Sequence, residues 1–438
     1  MAHVPAELAQ RSSVNSDKAT GGPAEDQDLH SEVDLGVDLN RDRDPTTASG
    51  PMRIAMLSPY SLSRPGGVQG QCIGLASSLR RMGHHVTVIG PADTVEGVPA
   101  AAGEHIVAGR PTDLHSNGSV APVALSPSTV ARIERVVRKG GFDVLHVHEP
   151  LAPMAAYGLV LTDPLPMVGT YHRAGVSRWV PVVKPLAEFV GRRMQVRVAV
   201  SEAARSTGEK SSGGSFEVLF NGVDVPRFSN ADPVRDEQGR PTVLFLGRHE
   251  PRKGLNVLLD AFALMERPAV LWVAGDGPAR EVQRRRYPES DRVRWLGTLS
   301  DEEVAARLAG ADVLCAPSIS GESFGMVLLE GMAAGCAVVA SDIEGYRDAS
   351  GGHAVLVPQG DAKALARALG IALADAGEGS GQSSPESRKA AVEHAQNRSL
   401  DSLAESYVDV YRRAVASWSI RRGGRAGATP ARTADSEP

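Results

Sequence analysis

Between residues 52 and 420 of the 438-residue chain, short apolar runs alternate with longer amphipathic stretches. Arg53–Ser58 (RIAMLS) reads as a short buried strand. A glycine-containing loop follows, and apolar positions then recur at helical spacing from Val68 to Met82. His85–Ile89, Val144–Val147, Met167–Thr170 and Arg197–Val200 repeat the strand pattern, with helical stretches between them. Short strands of this kind, apolar throughout, predict a parallel sheet covered on both faces. Its connections are right-handed crossovers. A second series begins after the polar stretch Asp232–Arg240. It has strands at Thr242–Leu246, Ala269–Val273, Val293–Leu296, Val313–Ala316, Ala337–Ala340 and Ala354–Val357. Helices are expected at Leu255–Met265, around Val304–Leu308, at Ala362–Ala374 and at Ser387–Ala395. The fold class is α/β, with two doubly wound sheets. Ligands of such sheets bind beyond the carboxyl ends of the strands, which puts the site in a cleft between the two.

The ends of the chain differ from this middle. Residues 1–51 hold no aromatic residue, ten acidic and four basic side chains, and read as a disordered lead. Met52 reads as a candidate start, and 421–438 as a disordered tail. The expected organisation is 52–230 as an N-terminal domain, joined by a C-terminal helix at about 406–420, and 231–405 as a C-terminal domain. The net charge of −5 resides in the lead, and the rest is nearly neutral, which argues against a nucleic-acid binder. Three cysteines, Cys72, Cys315 and Cys336, make neither a disulfide scaffold nor a thiolate metal cluster. No apolar run reaches membrane-spanning length and no signal peptide opens the chain, so the expectation is a soluble protein of a reducing, cytoplasmic compartment.

Candidate chemistry clusters at the strand ends. Arg64-Pro65-Gly66-Gly67-Val68 leads into the first helix, where free N–H groups can meet a diphosphate and Gly66 and Gly67 let it approach. An ordinary turn before a helix reads the same way. The spacing is not the dinucleotide fingerprint, which disfavours a dehydrogenase. After strand 242–246, Arg248 and Lys253 can present two cations to a leaving diphosphate, or belong to a solvated charged loop. Glu322 opens a helix that contains Glu330. Carboxylates accept hydrogen bonds from vicinal hydroxyls, so this pair suits a sugar and a ribose. The apolar surroundings of Glu330 argue against a surface position.

Gly-Arg-x-x-x-x-Lys-Gly (247–254), followed by Glu322-Ser323-Phe324-Gly325 and Glu330, resembles the retaining glycosyltransferases of family 4. Within that family the resemblance is to the branch that mannosylates phosphatidylinositol. It is carried by SPYSLSRPGGVQ (58–69), LHVHEPLAP (145–153), AVSEAAR (199–205), NGVDV (221–225) and residues 315–342, and spans roughly 52–420. The resemblance implies a GT-B fold, two Rossmann-like domains facing across a cleft, and a nucleotide-sugar donor, GDP-mannose for this branch. It implies that Gly66 and Gly67 pack on the donor diphosphate, that Arg248 and Lys253 bind it, and that His172 touches the donor sugar near its C6 hydroxyl. Glu322 would hold sugar hydroxyls, Phe324 and Gly325 would line the donor site, and Glu330 would hold the ribose. The base would lie near Val273–Gly275 and Trp295–Gly297. The implied mechanism is front-side attack with retention, the departing phosphate oxygen taking the acceptor proton. No metal or other cofactor is required, because Asp-x-Asp sequences, such as Asp42-Arg43-Asp44, lie in the lead. His146 and His148 read as structural or cleft-lining, and Glu149 as pointing elsewhere.

The acceptor stays open. The lipid-specific branch carries an arginine after its Asn-Gly-Ser-Val-Ala stretch, whereas here Asn117–Ala121 is followed by Pro122. Arg173–Val176 also departs from the branch's hydroxyl-rich pattern. Helix Thr129–Lys139 presents Arg132, Arg135, Arg138 and Lys139 against Glu134, with Ile133, Val136 and Val137 as an apolar flank. This is a candidate face for an anionic membrane surface on the inner side of the cell membrane, or a solvated helix face. Three readings follow: a GDP-mannose-dependent transferase acting on phosphatidylinositol or a related lipid; a family-4 enzyme using a UDP-sugar and a soluble acceptor; and an inactive binding or scaffold protein of the same fold.

Overall fold

The structure, a computed structural model, describes residues 50–116, 119–123, 126–152, 157–175, 180–378, 381 and 383–426. Residues 1–49 of the expected lead, 427–438 of the expected tail, Asn117, Gly118 and Val176 lie outside the described residues.

The first sheet contains β1 (Arg53–Leu57), β2 (His85–Gly90) and β3 (His105–Val107). A separate antiparallel hairpin, β4 (Thr112–Ser116) and β5 (Ser119–Val123), interrupts the series. The sheet continues with β6 (Val144–His148), β7 (Met167–Tyr171), β8 (Val196–Ala199) and β9 (Glu217–Val218), in the spatial order β3-β2-β1-β6-β7-β8-β9, all parallel. The second sheet holds β10 (Thr242–Leu246), β11 (Val270–Ala274), β12 (Val293–Gly297), β13 (Val313–Ala316), β14 (Ala337–Ser341) and β15 (Val355–Val357), in the order β12-β11-β10-β13-β14-β15, again all parallel. The expected α/β architecture of two doubly wound sheets is what forms.

Both faces of each sheet are covered, which is why the strands lack polar alternation. In β10, Leu244 packs into one core with Trp272, Leu314 and Val338. Its neighbours Val243 and Phe245 enter the opposite core with Leu271, Val273 and Val339. Strand order reverses beside β1 in the first sheet and beside β10 in the second, so each switch point opens at the carboxyl end of its central strand.

The chain returns from the second sheet to the first near its end. Val223 exchanges backbone hydrogen bonds with Arg398 and Leu400 (2.9 and 3.0 Å). Helix Leu400–Ala426 then packs against helix Gly67–Arg81 and strands β6 to β8. It inserts the buried Tyr407 and Tyr411, one turn apart, beneath the first sheet.

The basic helix forms over Pro127–Lys139. Its apolar residues do not make the flank expected for a membrane face: Ile133, Val136 and Val137 are all buried, facing inward. Arg135, Arg138 and Lys139 are exposed, and Arg138 pairs with Glu134 at 3.0 Å. Amphipathic spacing alone does not distinguish an apolar stripe that meets the protein core from one that meets lipid. Among the described residues no helix is long and apolar enough to cross a membrane.

Candidate active site

The loop after β1 turns through Ser58–Pro65 into helix Gly67–Arg81, which carries no acid in its first turn. Gly66 is in extended conformation, so its backbone does not require glycine. At Gly67 a Cβ would meet nothing within 4 Å and would point into open space. A Cβ on Gly66 would instead lie 2.7 Å from Gln69 Oε1, so the open space above the helix N-terminus, the arrangement an anion needs, is at Gly67. Arg64 lines the same space, with its guanidinium paired to Asp93 at 2.7 Å and to Asp113, in hairpin strand β4, at 2.5 Å.

The loop after β10 is shaped by Gly254, whose positive φ (+68°) lets it pass Pro317. A Cβ there would strike the Pro317 carbonyl oxygen. Glu250 lies buried between two guanidinium groups, Arg248 Nε at 3.0 Å and Arg252 Nε at 2.8 Å. Arg252 and Lys253 reach on to Glu322 Oε1 at 3.2 and 2.7 Å, and Ser318 Oγ donates to the same oxygen at 3.2 Å. Tyr346 OH fixes Ser318 at 2.8 Å. Gly325 (φ +103°) opens helix Met326–Ala333, and a Cβ on it would lie 2.5 Å from the Tyr346 ring. Glu330, one side of that helix, is half-buried and lines the cleft. Burial pushes its carboxyl above the usual range, with the Arg227 and Lys253 cations opposing.

From the first sheet, β7 ends at Tyr171 and delivers His172. The His172 N–H donates to Glu149 Oε2 at 2.9 Å, and its Nε2 lies 2.9 Å from His148 Nδ1. Burial pushes the imidazole down to about 3, so it is neutral at physiological pH. Glu149 is itself buried, with φ of +48°. That turn brings its carboxylate back to the His172 backbone.

All nine residues singled out from the sequence line one cleft of about 620 Å³: Gly66, Gly67, His172, Arg248, Lys253, Glu322, Phe324, Gly325 and Glu330. The two segments expected to flank a base do not line it. Val273 and Ala274 are buried in the sheet, and Trp295 is buried with its Nε1–H on the Tyr287 carbonyl at 3.0 Å. Arg252, Ser318 and Tyr346, not singled out before, also line the cleft. Arg252 sits beside Lys253 in a run of three charged or turn residues, which was its only sequence signal. Pro122 lines the cleft on the hairpin side, where the Ser61 N–H donates to its carbonyl at 2.9 Å. His146 is occupied at both nitrogens, by Tyr411 OH (2.8 Å) and Thr170 Oγ1 (2.7 Å). Among the described residues no group of three or more His, Cys, Asp or Glu side chains is placed to hold a metal ion.

Chemically, the cleft sets a helix N-terminus and a run of cations beside two carboxylates, one of which, Glu322, pairs directly with Lys253 and Arg252. An anionic, hydroxyl-rich ligand satisfies both.

Comparison with known proteins agrees on the kind of molecule. Residues 65–227 match the family model described as Glycosyltransferase Family 4, and residues 240–375 match that of Glycosyl transferases group 1. The phosphatidyl-myo-inositol mannosyltransferase of Mycobacterium leprae is 40% identical over 337 residues, covering 73% of this chain and 86% of that protein. The protein of the same name from Mycolicibacterium smegmatis is 40% identical over 329 residues, covering 73% and 84%. A solved sucrose-phosphate synthase from Thermosynechococcus elongatus superposes with a TM-score of 0.65 at 22% identity, covering 83% of this chain and 99% of that one. At that identity the likeness concerns the fold alone.

Proposed function

Because the chain belongs to the family-4 glycosyltransferases, we propose that it moves mannose from GDP-mannose to phosphatidylinositol or a related lipid, with retention at the anomeric carbon. The observation that carries the reading is the single cleft lined by all nine candidate residues, drawn from both sheets of its GT-B fold. The relatives at 40% identity, which are phosphatidyl-myo-inositol mannosyltransferases by name, support the donor and acceptor.

In this reading the diphosphate lies over Gly66 and Gly67 at the helix N-terminus, with Arg248 and Lys253 on its oxygens. Glu322 accepts hydrogen bonds from the sugar hydroxyls, Glu330 from the ribose, and His172 stands near the sugar C6 hydroxyl. Phe324 and Gly325 wall the donor site. The acceptor hydroxyl attacks the anomeric carbon on the face from which the diphosphate departs. The bond from carbon to phosphate oxygen breaks, and that oxygen takes the acceptor proton. The protein supplies orientation and cations where charge develops. It differs from a retaining glycosidase, which places a carboxylate nucleophile behind the anomeric carbon.

Attachment to the inner face of the membrane would rest on the exposed Arg135, Arg138 and Lys139, with Arg132 on the same helix. The helix's apolar side is already buried, so the contact would be electrostatic. Pro122 at the cleft supports a second reading, a UDP-sugar and a soluble acceptor, since it brings no cation for a lipid phosphate. A panel of GDP- and UDP-sugars scored by thermal shift separates the two. A shift with GDP-mannose alone supports the first, and a shift with UDP-sugars alone overturns it.

A further inference from the structure

His148 does not line the cleft, yet it touches a residue that does. Strands β6 and β7 run parallel with His148 opposite Thr170, so His172, two residues on, comes beside it. The two rings stack with centroids 5.2 Å apart and 23° between planes. Behind His148, the ring of His146 stacks at 4.3 Å, anchored by Tyr411 and Thr170, and Thr170 Oγ1 is also 2.6 Å from Tyr407 OH. The C-terminal helix thus fixes the layer on which His148 rests.

Burial keeps all three imidazoles neutral. A single proton therefore lies between His148 Nδ1 and His172 Nε2, 2.9 Å apart. Its side is decided by the far nitrogen of His148. Nε2 of His148 is fully enclosed and has no partner among the described residues. If His172 supplied the proton, His148 would carry its own on Nε2, as a buried N–H with no acceptor. A buried lone pair without a partner is the lesser cost. The proton accordingly belongs to His148 Nδ1, which donates to His172 Nε2. His172 then carries its hydrogen on Nδ1, the one nitrogen left for the cleft.

We propose that His148 is a positioning residue that holds His172 as a hydrogen-bond donor toward the cleft, so that His172 grips an oxygen of the bound donor and has no lone pair with which to take the acceptor's proton. The role for His172 rests on the nucleotide-sugar reading of the cleft, whereas the hydrogen-bond direction does not.

Two experiments test it. In the full chain with ¹⁵N-labelled imidazoles, two-bond ¹⁵N–¹H correlation identifies the tautomer of His172, assigned by the signal missing from His172→Gln. The Nδ1–H form is expected, and the Nε2–H form overturns the proposal without reference to activity. The second compares His148→Asn with His148→Leu, side chains of similar size. The Asn amide nitrogen stands where Nδ1 stands and can donate, while Leu cannot. The kcat for transfer should fall on the order of tenfold in His148→Leu and stay within about threefold in His148→Asn, with GDP affinity unchanged in both. Equal losses in the two variants would reduce His148 to packing and overturn its positioning role. Failure of every nucleotide-sugar to bind would instead defeat the reading of the cleft, leaving the tautomer result standing.

Discussion

Within the cleft Glu322 and Lys253 form an ion pair at 2.7 Å, with Arg252 at 3.2 Å on the same oxygen. All three side chains are less than a third exposed, so screening is incomplete. In the free protein, then, the Glu322 charge neutralises the cations proposed to receive the diphosphate. Replacing Glu322 by Gln and Lys253 by Ala should move nucleotide affinity in opposite directions. Loss of Lys253 removes a charge-assisted bond of about 1.5–3 kcal/mol, or roughly 10- to 150-fold in kcat/KM, and weakens GDP binding. Glu322→Gln releases Lys253 and Arg252 to the diphosphate, so GDP alone should bind as tightly as before or more tightly. Turnover should nevertheless fall by a similar factor, because the sugar loses its charged acceptor. Calorimetric titration with GDP and steady-state transfer, both on variants of unchanged Tm, read the two effects separately. Weaker GDP binding in both variants, or near-normal kcat/KM in Glu322→Gln, would refute the assignment.

The buried histidines have folded pKa values below their unfolded value of about 6.5: His146 and His172 near 3, and His148 well below normal. Their stabilising contribution is complete above pH 6.5 and is lost as pH falls toward 3, with a slope of up to about 1.4 kcal/mol per pH unit per histidine. Glu149, Glu330 and Asp348, raised by burial, act in the opposite sense, but burial also lowers His84, His249 and His394. Urea melts from pH 7 to 5 should show stability falling, with a shallower fall in His148→Asn; a flat profile in the wild type would contradict the burial of these rings. A chain starting at Met52 should keep its Tm and GDP affinity, and a drop of several degrees would show that the lead packs on the fold. Replacing Arg132, Arg135, Arg138 and Lys139 by Ala should abolish salt-sensitive sedimentation with anionic vesicles, each cation contributing about 1 kcal/mol near the surface; unchanged binding would remove this helix from the membrane reading.

The central strands were legible because a strand buried on both faces is a short apolar run with little else to be. Strands β1, β6, β7, β10 and β13 fall within a residue or two of their expected limits. The edge strands β3 and β9, three and two residues long, carry too little pattern to separate from loop, and the hairpin β4–β5 lacks clear alternation. The cleft-lining residues on loops after strands were legible from charge and glycine at the strand ends. Contacts made between strands were not. The pairing of His148 with His172 depends on the register of β6 against β7, and the return of Glu149 to the His172 amide depends on a positive φ, which no residue type announces. The basic helix shows the same limit in reverse: its stripe was legible, but the packing partner of that stripe was not.

The central claim is best tested by incubating the purified full chain with GDP-mannose and vesicles containing phosphatidylinositol, then determining the lipid product and its anomeric configuration by mass spectrometry and NMR. The account predicts a single mannose on the inositol ring in the α configuration of the donor, formed by the wild type and reduced at least tenfold in Lys253→Ala. A β-linked product, or no lipid product while a UDP-sugar is transferred to a soluble acceptor, would contradict it.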